Sequence, residues 1–176
     1  MKKVRLATTW LDGCSGCHMS LLDIDEGILK VAELAEMVYG PLVDIKEFPE
    51  NVDVTLVEGA VSSVEDLEKV RTIRERSRIV VSLGDCAVTS NVPSMRNQCG
   101  IARIMDRAYI ENATIDPQIP NEVVPQLLPL ARPVHDVIKV DVFIPGCPPS
   151  ASTILNCVAE LCAGRMPEPS LRHKFG

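Results

Sequence analysis

The chain has 176 residues and a net charge of −6, with 46% hydrophobic, 24% charged and only 3% aromatic residues. This length suits one domain with an aliphatic core, and the acidic balance argues against nucleic-acid binding because nothing resembles a basic phosphate-binding stripe. No apolar run reaches the roughly 18 residues that cross a bilayer and the start lacks a secretory pattern, so we expect a cytoplasmic protein without membrane insertion.

The first third of the chain predicts a strand, a turn and a long helix. Residues 3–11 are apolar enough for a buried strand, and the Gly-rich turn DGCSGC follows at 12–17. Apolar residues then recur at helical spacing, which predicts one amphipathic helix over 18–39 that Gly40-Pro41 ends. The segment VDVTLVEGAV at 52–61 predicts a second strand.

The middle of the chain continues this alternation. Ser62 or Ser63 is placed to cap a helix predicted over 64–76. The segment RIVVSL at 78–83 predicts a third strand, and a short helix is expected near 101–110.

The last third contains a Pro-rich excursion before the final strand. Five prolines within 114–133 predict an irregular segment, which is either a plain surface loop or an arm that contacts a partner. The segment VIKVDVFI at 137–144 predicts the last strand, and PGCPP at 145–149 leads into a helix near 150–163. Strands that alternate with helices predict a single α/β domain over 1–176, a flavodoxin-like, doubly wound parallel sheet.

Four of the seven cysteines follow predicted strands. Cys14 and Cys17 follow the first strand, Cys86 follows the third, and Cys147 follows the last. The carboxyl ends of parallel strands lie along one edge of an open sheet, where such folds bind ligands, so we expect these four thiols to converge. An odd number of cysteines in a reducing compartment argues against a disulfide framework and favours metal binding by some of them.

Four thiolates can hold either a zinc ion or an iron–sulfur cluster. Structural zinc sites generally join short segments through two C-x₂-C pairs, whereas here one pair joins two single cysteines far along the chain. An iron–sulfur cluster is therefore favoured, and zinc remains the alternative. We also expect free amides at the helix starts after Cys17 and Cys147 to face the thiolates and an anionic cluster.

Three motifs together resemble the small subunit of [NiFe] hydrogenases. They are WLDGCSGCHMSLLD at 10–23, GDCA at 84–87 and PGCPP at 145–149, in the same order and context. The resemblance covers most of the chain and is greatest to the short cytoplasmic form found in soluble NAD-reducing hydrogenases. The complex I subunit that carries the terminal cluster is similar too, but its pattern begins with adjacent cysteines, whereas Cys14 and Cys17 are separated here.

The resemblance implies a non-catalytic, electron-relaying subunit of a hydrogenase. Cys14, Cys17, Cys86 and Cys147 would hold one proximal [4Fe–4S] cluster. An obligate large subunit would carry the Ni–Fe centre, and diaphorase subunits would carry further clusters, flavin mononucleotide and NAD. The alternatives are the small subunit of another cytoplasmic or energy-converting [NiFe] hydrogenase, a complex-I-like module, and, in a different class, a structural zinc or thiol-based redox-regulatory domain.

The remaining candidate residues have two interpretations each. Ser15 lies between the first two proposed ligands, where hydrogenases often place a Thr on a proton route, so it is either a proton relay or a turn residue. Cys157 and Cys162 lie beside apolar residues of the last predicted helix and are interpreted as small core residues rather than ligands. Cys99 is interpreted as a free thiol rather than a ligand.

Overall fold

A computed structural model of the protein describes residues 3–167. Within them the chain forms seven strands, which are β1 (Val4–Trp10), β2 (Ala35–Tyr39), β3 (Val52–Glu58), β4 (Val61–Ser63), β5 (Ser77–Leu83), β6 (Leu127–Arg132) and β7 (Val142–Ile144). The α-helices of this range are α1 (Gly16–Leu22), α2 (Gly27–Leu34), α3 (Val64–Arg76), α4 (Asp85–Thr89), α5 (Ile101–Asp106) and α6 (Ala151–Cys162). Short segments of 3₁₀ or π helix lie at Val92–Gln98, Arg107–Glu111 and Val134–Asp136.

Five of these strands form a parallel sheet in the order β2-β1-β3-β5-β7. Numbered within the sheet alone, this is the 2-1-3-4-5 order of the flavodoxin-like fold, in which the chain reverses its direction of travel next to the first strand. The predicted fold class is confirmed. Strands β4 and β6 form a separate antiparallel pair.

Both faces of the parallel sheet are buried. Adjacent residues such as Leu56 and Val57 point to opposite faces, as the pleat requires. One core layer lies against α3 and includes its Val70 and Ile73. The other layer lies against α1 and α6 and includes Ile154. Burial on both sides explains why the central strands are almost continuously apolar.

The prediction of a single long helix over 18–39 is wrong. The chain leaves α1 through a turn in which Asp25 has a φ of 58°, and α2 ends at Leu34. Residues 35–39 then pair in parallel with β1 as the edge strand β2. The helical spacing of apolar residues continues through this segment, but pairing along the exposed edge of β1 satisfies its backbone groups and outweighs a weak local preference.

The second predicted strand, over 52–61, divides into two. It ends as β3 at Glu58, Gly59 turns the chain with a φ of +91°, and β4 begins at Val61. The partner of β4 is β6, which lies within the Pro-rich segment predicted to be irregular over 114–133. That prediction is therefore wrong for 127–132, because local composition does not indicate which distant segment a strand pairs with.

The last strand is shorter than the predicted 137–144, since β7 begins at Val142. The carboxylate of Asp141, one residue before it, accepts a hydrogen bond from the backbone N–H of Val80 at 2.9 Å and one from Arg74 Nη1 at 2.6 Å. A side chain thus takes the place of a ladder bond at the start of the strand, which ties β7 to β5 and α3.

The predicted helix over 64–76 is confirmed residue by residue as α3. The Ser63 hydroxyl accepts from the Asp66 N–H at 3.1 Å while the Asp66 carboxylate accepts from the Ser63 N–H at 3.0 Å, a reciprocal capping box. The final helix is also confirmed as α6, capped by Ser150. Across residues 3–167, none of the helices has the length and apolar character to cross a bilayer.

Candidate functional site

The structure places all four predicted ligands at the carboxyl edge of the parallel sheet. Cys14 and Cys17 lie in the connection after β1, with Cys17 in the first turn of α1. Cys86 lies in α4 directly after β5, and Cys147 follows β7. Each of the three connections begins at a strand that pairs within one sheet, so the sheet itself brings these side chains to the same edge.

The loops after β5 and β7 are joined by hydrogen bonds that fix Cys86 relative to Cys147. The Asp85 N–H donates to the Gly146 carbonyl at 2.9 Å, and the Asp85 carboxylate accepts from the Gly146 N–H at 2.7 Å. The Gly84 N–H donates to the Ile144 carbonyl at 2.7 Å. Asp85 therefore acts as a two-point clamp between the second and third cysteine loops.

The first cysteine loop is joined in a similar way to the end of β3. Asp12 and Ala60 exchange two backbone hydrogen bonds of 3.1 and 2.8 Å, and the Leu11 N–H donates to the Glu58 carbonyl at 2.8 Å. These bonds hold the turn that carries Cys14 and Cys17 against the neighbouring strand.

Glycines leave the space that the sulfur atoms occupy. A Cβ added to Gly84 would lie only 2.1 Å from the Cys17 Sγ, and one added to Gly16 would lie 3.2 Å from the Cys14 Sγ. Gly84 also has a φ of +81°, a conformation that glycine adopts most readily. A side chain at Gly84 would therefore collide with the Cys17 sulfur, and one at Gly16 would crowd the Cys14 sulfur.

The electrostatic environment shows that the four thiols are neighbours. Burial, the Glu58 carboxylate and the other three cysteines together raise the pKa of Cys17 far above its ordinary value. Burial and the nearby Cys14 and Cys147 also raise the pKa of Cys86, and only a backbone N–H from Val92 acts in the opposite direction. Four thiolates without a bound metal are therefore unfavourable at this site, and positive charge between them would stabilise them.

The expectation that the amides at the start of α1 face the thiolates is wrong. The N–H groups of Cys17 and His18 donate instead to the side chain of Glu58, at 3.2 and 3.0 Å. Glu58 is a buried residue that the motif analysis missed. Its only signal in the sequence was a carboxylate at the end of the strand VDVTLVE, directly after the apolar pair Leu56-Val57.

The site is buried on one side and open on the other. Cys17 is buried and Cys86 half-buried, whereas Cys14 and Cys147 are exposed, and the Asn91 amide lies 3.6 Å from the Cys147 Sγ. Within the described range of 3–167, no three His, Cys, Asp or Glu side chains converge closely enough to share a single metal ion. The four thiols therefore influence one another electrostatically without three of them lying close enough to bind one ion.

The other candidate residues lie apart from this arrangement or on its margin. Cys157 is buried in α6 among Ile154 and Val158, and burial raises its pKa to about 12. Cys162 is half-buried and Cys99 is exposed. Ser15 lies in the left-handed region with a φ of 65° and gives α1 no side-chain cap.

The fold and the site define a class of flavodoxin-like α/β proteins in which cysteines from three connections line the ligand edge of the sheet. The family described as NADH ubiquinone oxidoreductase, 20 Kd subunit, matches residues 14–161, and the chain belongs to this family. The matched range begins at Cys14 and includes Cys17, Cys86 and Cys147.

Two curated relatives are subunits of hydrogenases. The NAD-reducing hydrogenase HoxS subunit delta of Cupriavidus necator is 39% identical over 168 residues, which cover 93% of this chain and 80% of the relative. A subunit of the F420-non-reducing hydrogenase of Methanocaldococcus jannaschii is 38% identical over 167 residues, which cover 94% of this chain. The chain spans only 58% of the length of that second relative.

Solved structures agree with these relatives. A chain of an NAD⁺-reducing [NiFe]-hydrogenase in the H₂-reduced state matches with a TM-score of 0.90 and 37% identity, over 98% of this chain and 100% of that chain. The [NiFeSe]-hydrogenase of Dm. baculatum matches with a TM-score of 0.65 at 17% identity, over 96% of this chain and 67% of that chain, and shares the fold. The resemblance to hydrogenase small subunits, and to the NAD-reducing type, is confirmed.

Proposed function

We propose that this chain is the electron-relaying small subunit of a cytoplasmic NAD-reducing [NiFe] hydrogenase. Cys14, Cys17, Cys86 and Cys147 would hold one [4Fe–4S] cluster, which supplies one-electron transfer when bound. Electrons would pass between the Ni–Fe centre of a large subunit and a diaphorase that carries flavin mononucleotide and NAD. The observation that carries the proposal is the meeting of four thiols, from three separate connections, at one edge of the sheet.

The residues present fit such a cluster. All four candidate ligands are thiols, and Gly84 and Gly16 leave room around Cys17 and Cys14. Burial and, to a smaller extent, mutual repulsion raise the pKa values of Cys17 and Cys86, and metal ions bind thiolates by offsetting that repulsion. Four thiolates from three connections suit a group with several metal atoms, each of which takes one thiolate.

The surroundings of the four cysteines suit a docked partner. Cys14 and Cys147 lie at the exposed side of the site, and Trp10 and Met19 next to it expose 42% and 65% of their surface. A large subunit docked over this edge would bury these apolar side chains and exclude water from the thiolates. Obligate interfaces of this kind commonly bury more than roughly 2,000 Å².

The assignment to the NAD-reducing type rests on similarity to relatives of that type. The HoxS subunit delta is 39% identical to this chain, and the chain of the NAD⁺-reducing [NiFe]-hydrogenase matches with a TM-score of 0.90. The alternative is another cytoplasmic or energy-converting hydrogenase, or a complex-I-like module. Anaerobic purification of the intact complex tests this directly: H₂-dependent reduction of NAD⁺, with a large subunit and diaphorase chains present, supports the proposal, and co-purification without any NAD-binding chain contradicts it.

The cluster itself is tested on anaerobically purified protein. Four irons and four sulfides per chain, with a visible absorption that dithionite bleaches, support the proposal. Colourless protein with one zinc per chain would instead support the structural zinc or thiol-based redox alternative.

Ser15 remains a candidate for proton transfer between this chain and the large subunit. It lies between Cys14 and Cys17, and its hydroxyl can both donate and accept a hydrogen bond. A Ser15→Ala variant is expected to lower H₂ turnover while its iron content stays at the level of the unaltered enzyme. Unchanged turnover would show that Ser15 is only a turn residue.

A further inference from the structure

Glu58 is a buried carboxylate with no role in the proposed set of four cysteine ligands. It ends β3 with 2% of its surface exposed, beside the loop that carries Cys14 and Cys17. Burying a carboxylate is costly unless hydrogen bonds compensate it. Here both oxygens meet N–H donors: the Cys17 amide reaches one, and the His18 amide and ring Nδ1 reach the other.

These hydrogen bonds cap the start of α1, which no side chain of the cysteine loop itself does. Ser15, at the start of α1, makes no side-chain cap bond, so the amides of Cys17 and His18 would otherwise lack an acceptor. Glu58 supplies it from a different strand. The carboxylate therefore fixes the backbone of Cys17 relative to β3, and through β3 relative to the strands that carry Cys86 and Cys147.

His18 is held in one orientation by the same contact. Its ring packs edge-on against Trp10, with centroids 5.5 Å apart, while Nδ1 faces Glu58. Its Nε2 is buried and has no hydrogen-bond partner among the residues that the structure describes. Glu58 and His18 thus form one buried polar unit directly behind the Cys17 backbone.

We propose that Glu58 is a positioning residue that holds Cys17 at the cluster and, through its negative charge, keeps the reduction potential of that cluster low. This inference rests on the proposed [4Fe–4S] cluster. Two effects act in the same direction. A negative charge nearby disfavours adding an electron, and the two amides that Glu58 engages are not available to donate hydrogen bonds to sulfur, which would raise the potential.

The experiment compares variants that separate position from charge. Glu58→Gln removes the charge and keeps one accepting oxygen, whereas Glu58→Ala removes both oxygens. Glu75→Gln is the matched control, because Glu75 is exposed in the last turn of α3, at the opposite edge of the sheet. Iron and sulfide content, folded content by circular dichroism, and the midpoint potential from an EPR-monitored titration are measured on anaerobic protein in complex with its large subunit.

We expect Glu58→Gln to bind the cluster at a more positive midpoint potential, Glu58→Ala to lose at least half of its iron while folded, and Glu75→Gln to match the unaltered protein. Unchanged iron content and potential in both Glu58 variants would overturn the inference. If neither Glu58 variant folds, the test uses His18→Phe. This change keeps the hydrogen bonds from the Cys17 and His18 amides to Glu58 but removes the one from the His18 ring, so the negative charge of Glu58 is less compensated. A more negative potential then supports the role of Glu58, and an unchanged one refutes it.

The outcome stays separate from that of the proposed function. Iron and sulfide in the unaltered protein are measured first, and zinc or no metal there refutes the cluster itself. A normal cluster in the unaltered protein that is indifferent to Glu58 refutes only the positioning role.

Discussion

Replacing Gly84 by alanine is expected to disable the site through one methyl group. The residue has φ 81° and ψ 164°, a region that is essentially confined to glycine and costs other residues about 1–3 kcal/mol. The new Cβ would also lie 2.1 Å from the Cys17 Sγ. Since ordinary contacts begin near 3.5 Å, the sulfur or the loop must move by about 1 Å or more.

The two costs add to a large effect. Overpacking a buried contact costs about 1–3 kcal/mol beyond the backbone strain, so Gly84→Ala should lower the free energy of unfolding by about 2–6 kcal/mol. A displacement of about 1 Å also exceeds the tolerance of roughly 0.5 Å within which ligands must be held. Folded chains should therefore bind little iron even where the fold survives.

Gly100 provides the matched control for this prediction. It has nearly the same backbone conformation, φ 77° and ψ 152°, but a Cβ added there would meet nothing within 4 Å. Gly100→Ala should lower stability by about 1–3 kcal/mol and keep its full iron content. Urea denaturation and iron analysis per folded chain measure both effects. Equal iron content in the two variants would refute the reasoning, because it would mean that the contact with Cys17 is immaterial.

Three further predictions concern the scaffold. Asp141→Asn should cost about 1–3 kcal/mol near pH 7, since it weakens a charged hydrogen bond to Arg74. Burial raises the pKa of Asp141, but the hydrogen bonds from Arg74 and Val80 outweigh burial and hold that pKa below its usual range. The stabilisation by the ionised carboxylate is therefore present above about pH 4 and lost on acidification. The free energy of unfolding should accordingly fall less steeply below pH 4 in the variant than in the unaltered protein. Ser63→Ala should lower the free energy of unfolding by about 1 kcal/mol through loss of the α3 cap, and unchanged urea midpoints would contradict this. Cys157 should react with iodoacetamide at pH 8 only on unfolding, because burial raises its pKa to about 12. The variant Cys157→Ala should keep its full iron content. Rapid labelling of the native protein would show that α6 is not packed as described.

The elements that local chemistry specifies were predictable, and those that depend on distant pairing were not. α3 has an N-cap, acidic residues in its first turn and basic residues in its last, so its bounds could be predicted from the sequence. β2 continues the helical spacing of the preceding segment and becomes a strand only because β1 offers it an edge. β6 was hidden among prolines for the same reason, since its partner β4 lies more than sixty residues earlier in the chain.

The candidate site was more predictable than the fold around it. Cysteines placed after strands must reach the carboxyl edge once the sheet is parallel, so Cys14, Cys17, Cys86 and Cys147 could be grouped from sequence alone. Glu58 could not be assigned in this way, because its role depends on which amides face it across two connections. A buried charge with no motif around it is identified only when its partners are visible.

The central claim is that four cysteines from three connections hold one cluster, and single substitutions test it most directly. Cys14, Cys17, Cys86 and Cys147 are changed to serine one at a time, with Cys99→Ser as the control for an exposed thiol elsewhere. Iron, sulfide and zinc are measured on anaerobically prepared, folded protein. We expect each of the four variants to lose most of its iron while Cys99→Ser retains four irons per chain; full iron content after every one of the four changes would contradict the account.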